Sequence, residues 1–201
     1  EEAVSDFDRL VRLAPADHWH WYHRGCLLAY LGRDAEYREH CRAMLEQFAK
    51  SQDKYVLDRT TKTALLLPRG VGGDVERLAE RARAAQPMDP DDRWFGLLMG
   101  MAEFRTGRPN DAVPWLEKCR AAGVPARWAA AEAFLAMAHH RLGREDESAS
   151  ALARCVQLIE RDLPEAGVDD LAEGTAGIEN WLIAQIARRE AEELIDRKSP
   201  K

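Results

Sequence analysis

One phrase recurs along this chain: a helical stretch, a glycine, then a second helical stretch with small residues at fixed offsets. It reads LGRDAEYREHCRAML from Leu31, TGRPNDAVPWLEKCRAA from Thr106 and LGREDESASALARCVQL from Leu142, with a fainter copy, GGDVERLAERARAAQPMDP, from Gly72. The punctuating glycines Gly32, Gly73, Gly107 and Gly143 are separated by 41, 34 and 36 residues. Self-similarity at this period in a helical pattern means stacked helix pairs, because one pair alone cannot bury its apolar face. The fold class expected is all-α, a right-handed solenoid of helix-turn-helix repeats.

Helix signals run the length of the chain. Pro and Gly-Arg junctions separate apolar segments of helical period, as helix stops and starts should. The first segment, about 2–14, carries Phe7, Leu10, Val11 and Ala14 on one face and stops at Pro15. Further helices are expected near 17–31, 33–49, 53–67, 74–87, 91–106, 109–122, 126–142 and 145–163. Past Pro164 the register is lost, and a last helix near 176–197 presents Ile178, Trp181, Leu182, Gln185, Ile186 and Ala187 on one face. End repeats need a cap with a polar back, so the expected organisation is an array over 1–163 closed by a loop and capping helix over 164–201.

The letters of the repeat resemble the tetratricopeptide repeat, W-x2-L-G-x2-Y, then A-x3-F, then P. Trp21 and Gly25 have its Trp-to-Gly spacing, with Leu28 in the aromatic slot and Arg24 where Leu is expected. Gly100 fills the same glycine slot later on, Ala112 with Leu116 matches A-x3-F, and Ser148 with Leu152 stands for it in the next repeat. Pro15 and Pro90 match the closing proline, and Leu66 replaces the expected glycine of the second repeat. Glycine in that slot lets paired helices approach closely. The wording DHWHWYHRGCLLAYLGRDAEYREHCRAML also looks like repeat regions attached to bacterial serine/threonine kinases and WD40 proteins.

The resemblance implies a non-enzymatic scaffold that docks a partner helix or apolar peptide in a groove lined by first helices. By analogy the groove residues are Trp19, Tyr22, His23 and Cys26, Thr60 and Thr63, Trp94, Leu97 and Met101, and Ala133, Phe134, Met137 and His140. Some members grip a peptide carboxylate with Lys, Arg and Asn. Here Tyr22, Cys26, Leu97 and Met101 hold comparable places, and the chain has only Asn110 and Asn180, so no such clamp is expected. An apolar, aromatic groove suits an amphipathic helix. The alternatives are that these side chains pack between helices, or that the chain's own last helix fills the groove and makes the array a structural or autoinhibitory spacer.

Composition narrows the classes further. With 46% hydrophobic and 32% charged residues the chain is neither disordered nor membrane-embedded, and no apolar run is long enough to span a bilayer. The net charge is −6, and the 23 arginines are dispersed among acids, so no basic stripe for nucleic acid emerges. The acidic start, without Met, reads as a piece of a longer bacterial polypeptide rather than a signal peptide. Cys26, Cys41, Cys119 and Cys155 form no CxxC pair and read as buried thiols in a reducing cytoplasm. No cofactor is expected. His20, His23, His40 and Cys41 form a sterically conceivable zinc cluster that lacks metal-ligand spacing. The glycine-rich 69–73 turn lacks the Lys-Ser/Thr of a phosphate loop, and the pairs Asp91-Asp92 and Asp169-Asp170 fit helix starts and loops.

Overall fold

A computed structural model of the chain describes residues 2–68, 74–85, 95–120, 124–162 and 177–196, and these form helices and short connections. The 69–73 turn, Gly73, Pro90, Trp94, Pro164 and the two aspartate pairs lie outside the described residues. By contacts the chain forms two compact units, Glu1–Pro90 and Asp91–Lys201. The first holds α1 (Glu2–Leu13), α2 (His18–Tyr30), α3 (Asp34–Gln47), α4 (Lys54–Ala64) and α5 (Val75–Ala85). The second holds α6 (Gly96–Arg105), α7 (Pro109–Arg120), α8 (Pro125–Arg141), α9 (Glu145–Asp162) and α10 (Ile178–Asp196).

The recurrent glycine phrase has one structural cause. Helices α2, α6 and α8 all end on a glycine with positive φ: Gly32 at 69°, Gly107 at 77° and Gly143 at 71°. After each, the arginine N–H turns back to a carbonyl five residues earlier: Arg33 to Leu28, Arg108 to Glu103 and Arg144 to His139, at 2.9 to 3.0 Å. This closure satisfies carbonyls left over at a helix end and needs a left-handed residue, which glycine supplies without strain. The following helix then starts within a few residues, so each of these three copies of the phrase makes one tight helical hairpin.

A second set of glycines permits close packing. A Cβ on Gly25 would lie 2.3 Å from the Thr63 methyl of α4 and 3.3 Å from the His40 ring of α3. A Cβ on Gly100 would lie 2.4 Å from Leu116 of α7. These are the glycines that match the repeat pattern, and at each a side chain of a neighbouring helix fills the space a Cβ would take.

In the first unit, α2 packs against α1, α3 and α4, while α4 also meets α5. Trp21, Met44, Phe48 and Val56 form its core. The His40 Nε2 lies 2.8 Å from the Trp21 carbonyl, so it donates. Burial holds its pKa down at about 4. Arg24, the departure from the repeat pattern, pairs with Asp8 and ties α2 to α1. The expected apolar face of α1 is only partly covered. Val4 is buried, Phe7 and Val11 are half-buried, and Leu10 and Leu13 are exposed, Leu13 at 70%. The reason is that α1 packs chiefly on one helix, α2.

The second unit is built around α8. From Ala126 to Ala138 every residue except Trp128 is buried, so the helix is enclosed on all faces. The alanines among them let neighbouring helices approach from several sides. Glu132, fully buried, takes the indole N–H of Trp128 at 3.0 Å, Arg120 of α7 at 2.8 Å and Arg154 of α9 at 3.0 Å. Helix α10 covers another side and runs parallel to α8. Near their starts Arg127 donates to the Asn180 side chain at 3.3 Å, and near their ends Arg141 faces Glu190. Trp181, Ile183, Ala184, Ile186 and Ala187 are buried. Ile178 of the expected face is instead 39% exposed, and Ile183, not among the residues named for that face, is buried because α10 meets both α8 and α9.

Candidate interaction surface

On the first unit, α2 and α4 present an aromatic surface. Asp17 caps α2 by accepting the Trp19 N–H at 2.9 Å, and Asp53 caps α4 by accepting those of Tyr55 and Val56 at 2.8 and 3.0 Å. These caps fix both helix starts, and with them the positions of Trp19 and Tyr55. Trp19 is 39% exposed and Tyr55 43%. Between them lies Arg59, its guanidinium 3.6 Å from the Trp19 ring centre and 5.6 Å from that of Tyr55. An arginine so placed over an indole is held by the ring quadrupole.

The aromatic set continues beneath. His23 stacks on Trp19 at 5.6 Å and meets Phe7 of α1 at 5.5 Å. The Arg59 Nη1 donates to His18 Nε2 at 2.5 Å, so the His18 ring is neutral. Desolvation, then the Arg59 charge, lower its pKa. Lower still, Lys62 and Asp58 form an ion pair of 2.7 Å with both side chains out of solvent. The Lys62 ammonium lies 5.5 Å from the Tyr22 ring centre.

The structure places the expected groove residues at different depths. Trp19 and His23 reach the surface, whereas Tyr22 and Cys26 are buried against α4 and the neighbouring helices. Thr60 and Thr63 are buried too, their hydroxyls donating to the carbonyls of Val56 and Arg59 one turn back. In the second unit Leu97, Met101, Ala133 and Met137 are fully buried, Phe134 nearly so and His140 4% exposed. Phe134 packs edge-on against Phe104 at 5.7 Å. Arg105, stacked over Phe134 at 5.2 Å, grips both oxygens of Glu190 on α10. Trp94 lies outside the described residues.

Sequence reasoning missed Arg59, Tyr55 and the Arg105–Glu190 pair. Tyr55 and Arg59 are four apart and so share a helix face, which was the available signal. The Arg105–Glu190 pair joins residues 85 apart in sequence and leaves no local trace.

Reactive chemistry is muted here. All four cysteines are buried and none forms a disulfide. Burial pushes the Cys41 and Cys155 thiols up to about 12. His40 is committed to Trp21, and among the described residues no three His, Cys, Asp or Glu side chains converge to hold a metal. Nor is any helix among them long and apolar enough to cross a membrane.

Comparison with solved structures identifies the fold. A thermophilic TPR protein of Thermus thermophilus, TTC0263, superposes with a TM-score of 0.56 at 18% identity, covering 96% of this chain and 90% of that one. MamA 41-end from Desulfovibrio magneticus RS-1 gives 0.47 at 16% identity over 80% and 86% of the two chains. No protein-family model and no curated protein matches the sequence. The all-helical fold is of the tetratricopeptide type, as the repeated glycine phrase and its spacing imply, and that assignment rests on the Thermus superposition.

Proposed function

We propose that this chain is a non-enzymatic scaffold which docks a partner helix or apolar peptide on the α2/α4 face. The observation that carries the reading is Trp19: a large aromatic 39% exposed, with the Arg59 guanidinium 3.6 Å from its ring centre. Tryptophan, tyrosine and arginine are the residues that most often anchor protein interfaces, because each offers wide contact area with a polar handle. Trp19 and Tyr55 would bury on apolar side chains of the partner, with Arg59 meeting a carbonyl or carboxylate at the edge. His23 completes the floor. The fold supports a scaffold role in general terms, and the chain would act as one region of a larger bacterial, cytoplasmic protein. Neither nucleic acid nor membrane is a partner in this reading.

In the second unit α10, parallel to α8 and packed on α8 and α9, fits the expected capping helix better than a segment filling the groove along α6. The burial of α8 under α10 and the grip of Arg105 on Glu190 support this reading, in which Leu97, Met101 and Met137 are core and not contact residues.

The test is a photo-crosslinking amino acid at position 55 in the full-length protein in its own cells. Any crosslinked protein is then identified and titrated in purified form. The expected result is a protein whose binding falls roughly 10-fold or more with Trp19→Ala and with Arg59→Ala. Binding indifferent to both substitutions overturns the proposal.

A further inference from the structure

We infer that the outer groove between α9 and α10 is a second docking site, for an amphipathic partner helix with a small apolar seam flanked by lysine or arginine. It is separate from the α2/α4 face and independent of it.

Repeat geometry suggests the shape of the occupant. Helix α7 packs against α6 and α8, and α9 against α8 and α10. Helix α10, parallel to α8, therefore stands where a further first helix would stand. Among the described residues no second helix packs on it, and that side carries an open groove of about 730 Å³.

The sequence of α9 fits a helix seated there. Its inner face buries Ala151, Cys155, Leu158 and Ile159. It also carries a second apolar stripe, Ala149, Leu152, Ala153 and Val156, at the i, i+3, i+4, i+7 spacing of one helix face. On α3 the exposed Ala35 and Ala43 are separated by the charged Glu39 and Arg42, and on α7 the exposed Pro114 lies between Asp111 and Glu117. Those second helices break their exposed apolar positions with charges, whereas α9 lines a groove with an unbroken apolar stripe, closed on the other side by Ile195. Alanines in the stripe let another helix come near, as Gly25 and Gly100 do inside the fold.

Charge selects the partner. Glu145, Asp146 and Glu192 line the groove, and among the described residues that line it none is basic. Glu145 is bonded to His140 at 3.0 Å, and Glu192 is offset by its 2.7 Å ion pair with Arg188, so Glu145 and Asp146 at the start of α9 carry the acidic charge of the rim. A basic-flanked helix gains from this rim, while an acidic one is repelled.

Three fluorescein-labelled synthetic helices, titrated against the full chain by anisotropy, test the inference. One has an alanine-leucine seam flanked by lysines, one has the same seam flanked by glutamates, and one has the lysines beside a serine seam. The first should bind roughly 10-fold tighter than either other. Ala153→Arg and Leu152→Asp, each with unchanged circular dichroism, should abolish that margin. Glu145→Lys with Asp146→Lys should transfer the preference to the glutamate-flanked helix. Equal binding of the first and third helices, or binding indifferent to Ala153→Arg and Leu152→Asp, overturns the inference. So does a sedimenting dimer that Ala153→Arg converts to monomer, because the groove would then hold a second copy of the chain.

Discussion

The first-helix faces of the two units have opposite fates. On the first, α2 and α4 leave Trp19 and Tyr55 in solvent with Arg59 between them. On the second, α8 is enclosed and α10 lies along it. The local sequences differ accordingly. Helix α2 reads HWHWYHRGCLLAY, with wide rings bearing polar tips that tolerate water. Helix α8 reads PARWAAAEAFLAMAHHR, in which small residues recur on every side. A helix that is small and apolar all round announces that other helices will cover it. Aromatic content alone therefore misleads about where a groove is open. The width of the side chains between the aromatics tells more.

The comparison is most exposed at α10. Ending the chain after residue 162 uncovers the side of α8 that α10 packs on, so the second unit should lose its cooperative melting transition and bind a hydrophobic dye. Trp181→Ala alone should cost about 3–5 kcal/mol, because a buried indole leaves a cavity. A truncated chain that melts as before would mean α8 is stable when uncovered, and the contrast between the units would fail.

Next in size is the ion pair under the open face. Asp58→Ala leaves the Lys62 ammonium without its carboxylate in a site closed to water, and should cost about 3–5 kcal/mol by denaturant titration. Pairing Asp58→Leu with Lys62→Met should restore most of that loss. If Asp58→Ala is silent, the base of the aromatic surface is wetter than its burial indicates.

Acid should act on the first unit through His40. Its pKa is about 4 in the fold against 6.5 unfolded, so between those values the unfolded chain binds the extra proton. Stability is full above pH 6.5 and falls as pH drops toward 4, by about 3 kcal/mol at the limit. His40→Gln should flatten that part of the pH–stability curve.

The smallest effect is expected at the surface itself. Trp19→Ala should change stability by less than about 1 kcal/mol, the scale of an exposed cation–π contact. The same substitution should remove binding to the α2/α4 partner. A large loss of stability would make Trp19 a core residue and close the open half of the comparison.

The sequence discloses local necessities better than long-range ones. Gly32, Gly107 and Gly143 were legible because a left-handed helix end demands glycine. Gly25 and Gly100 were legible because close helix approach forbids a side chain. The depth of Leu97, Met101 and Met137 was not legible, since the same stripe can line a groove or a core depending on what lies opposite. For α8 that depends in part on α10, whose contacts with it join distant parts of the chain. Arg59 escaped because the repeat pattern is weakest around α4, where Leu66 displaces the expected glycine and the spacing stretches to 41 residues.

Burial of the thiols gives the molecule a timepiece in each half. Cys41 lies in the first unit and Cys155 in the second, both completely shielded and both with pKa of about 12. Neither can meet an alkylating reagent until its own surroundings open. In a chain keeping only these two cysteines, the rate of modification at each would record how often that half breathes. Partners on different faces would then show themselves as two clocks slowed independently.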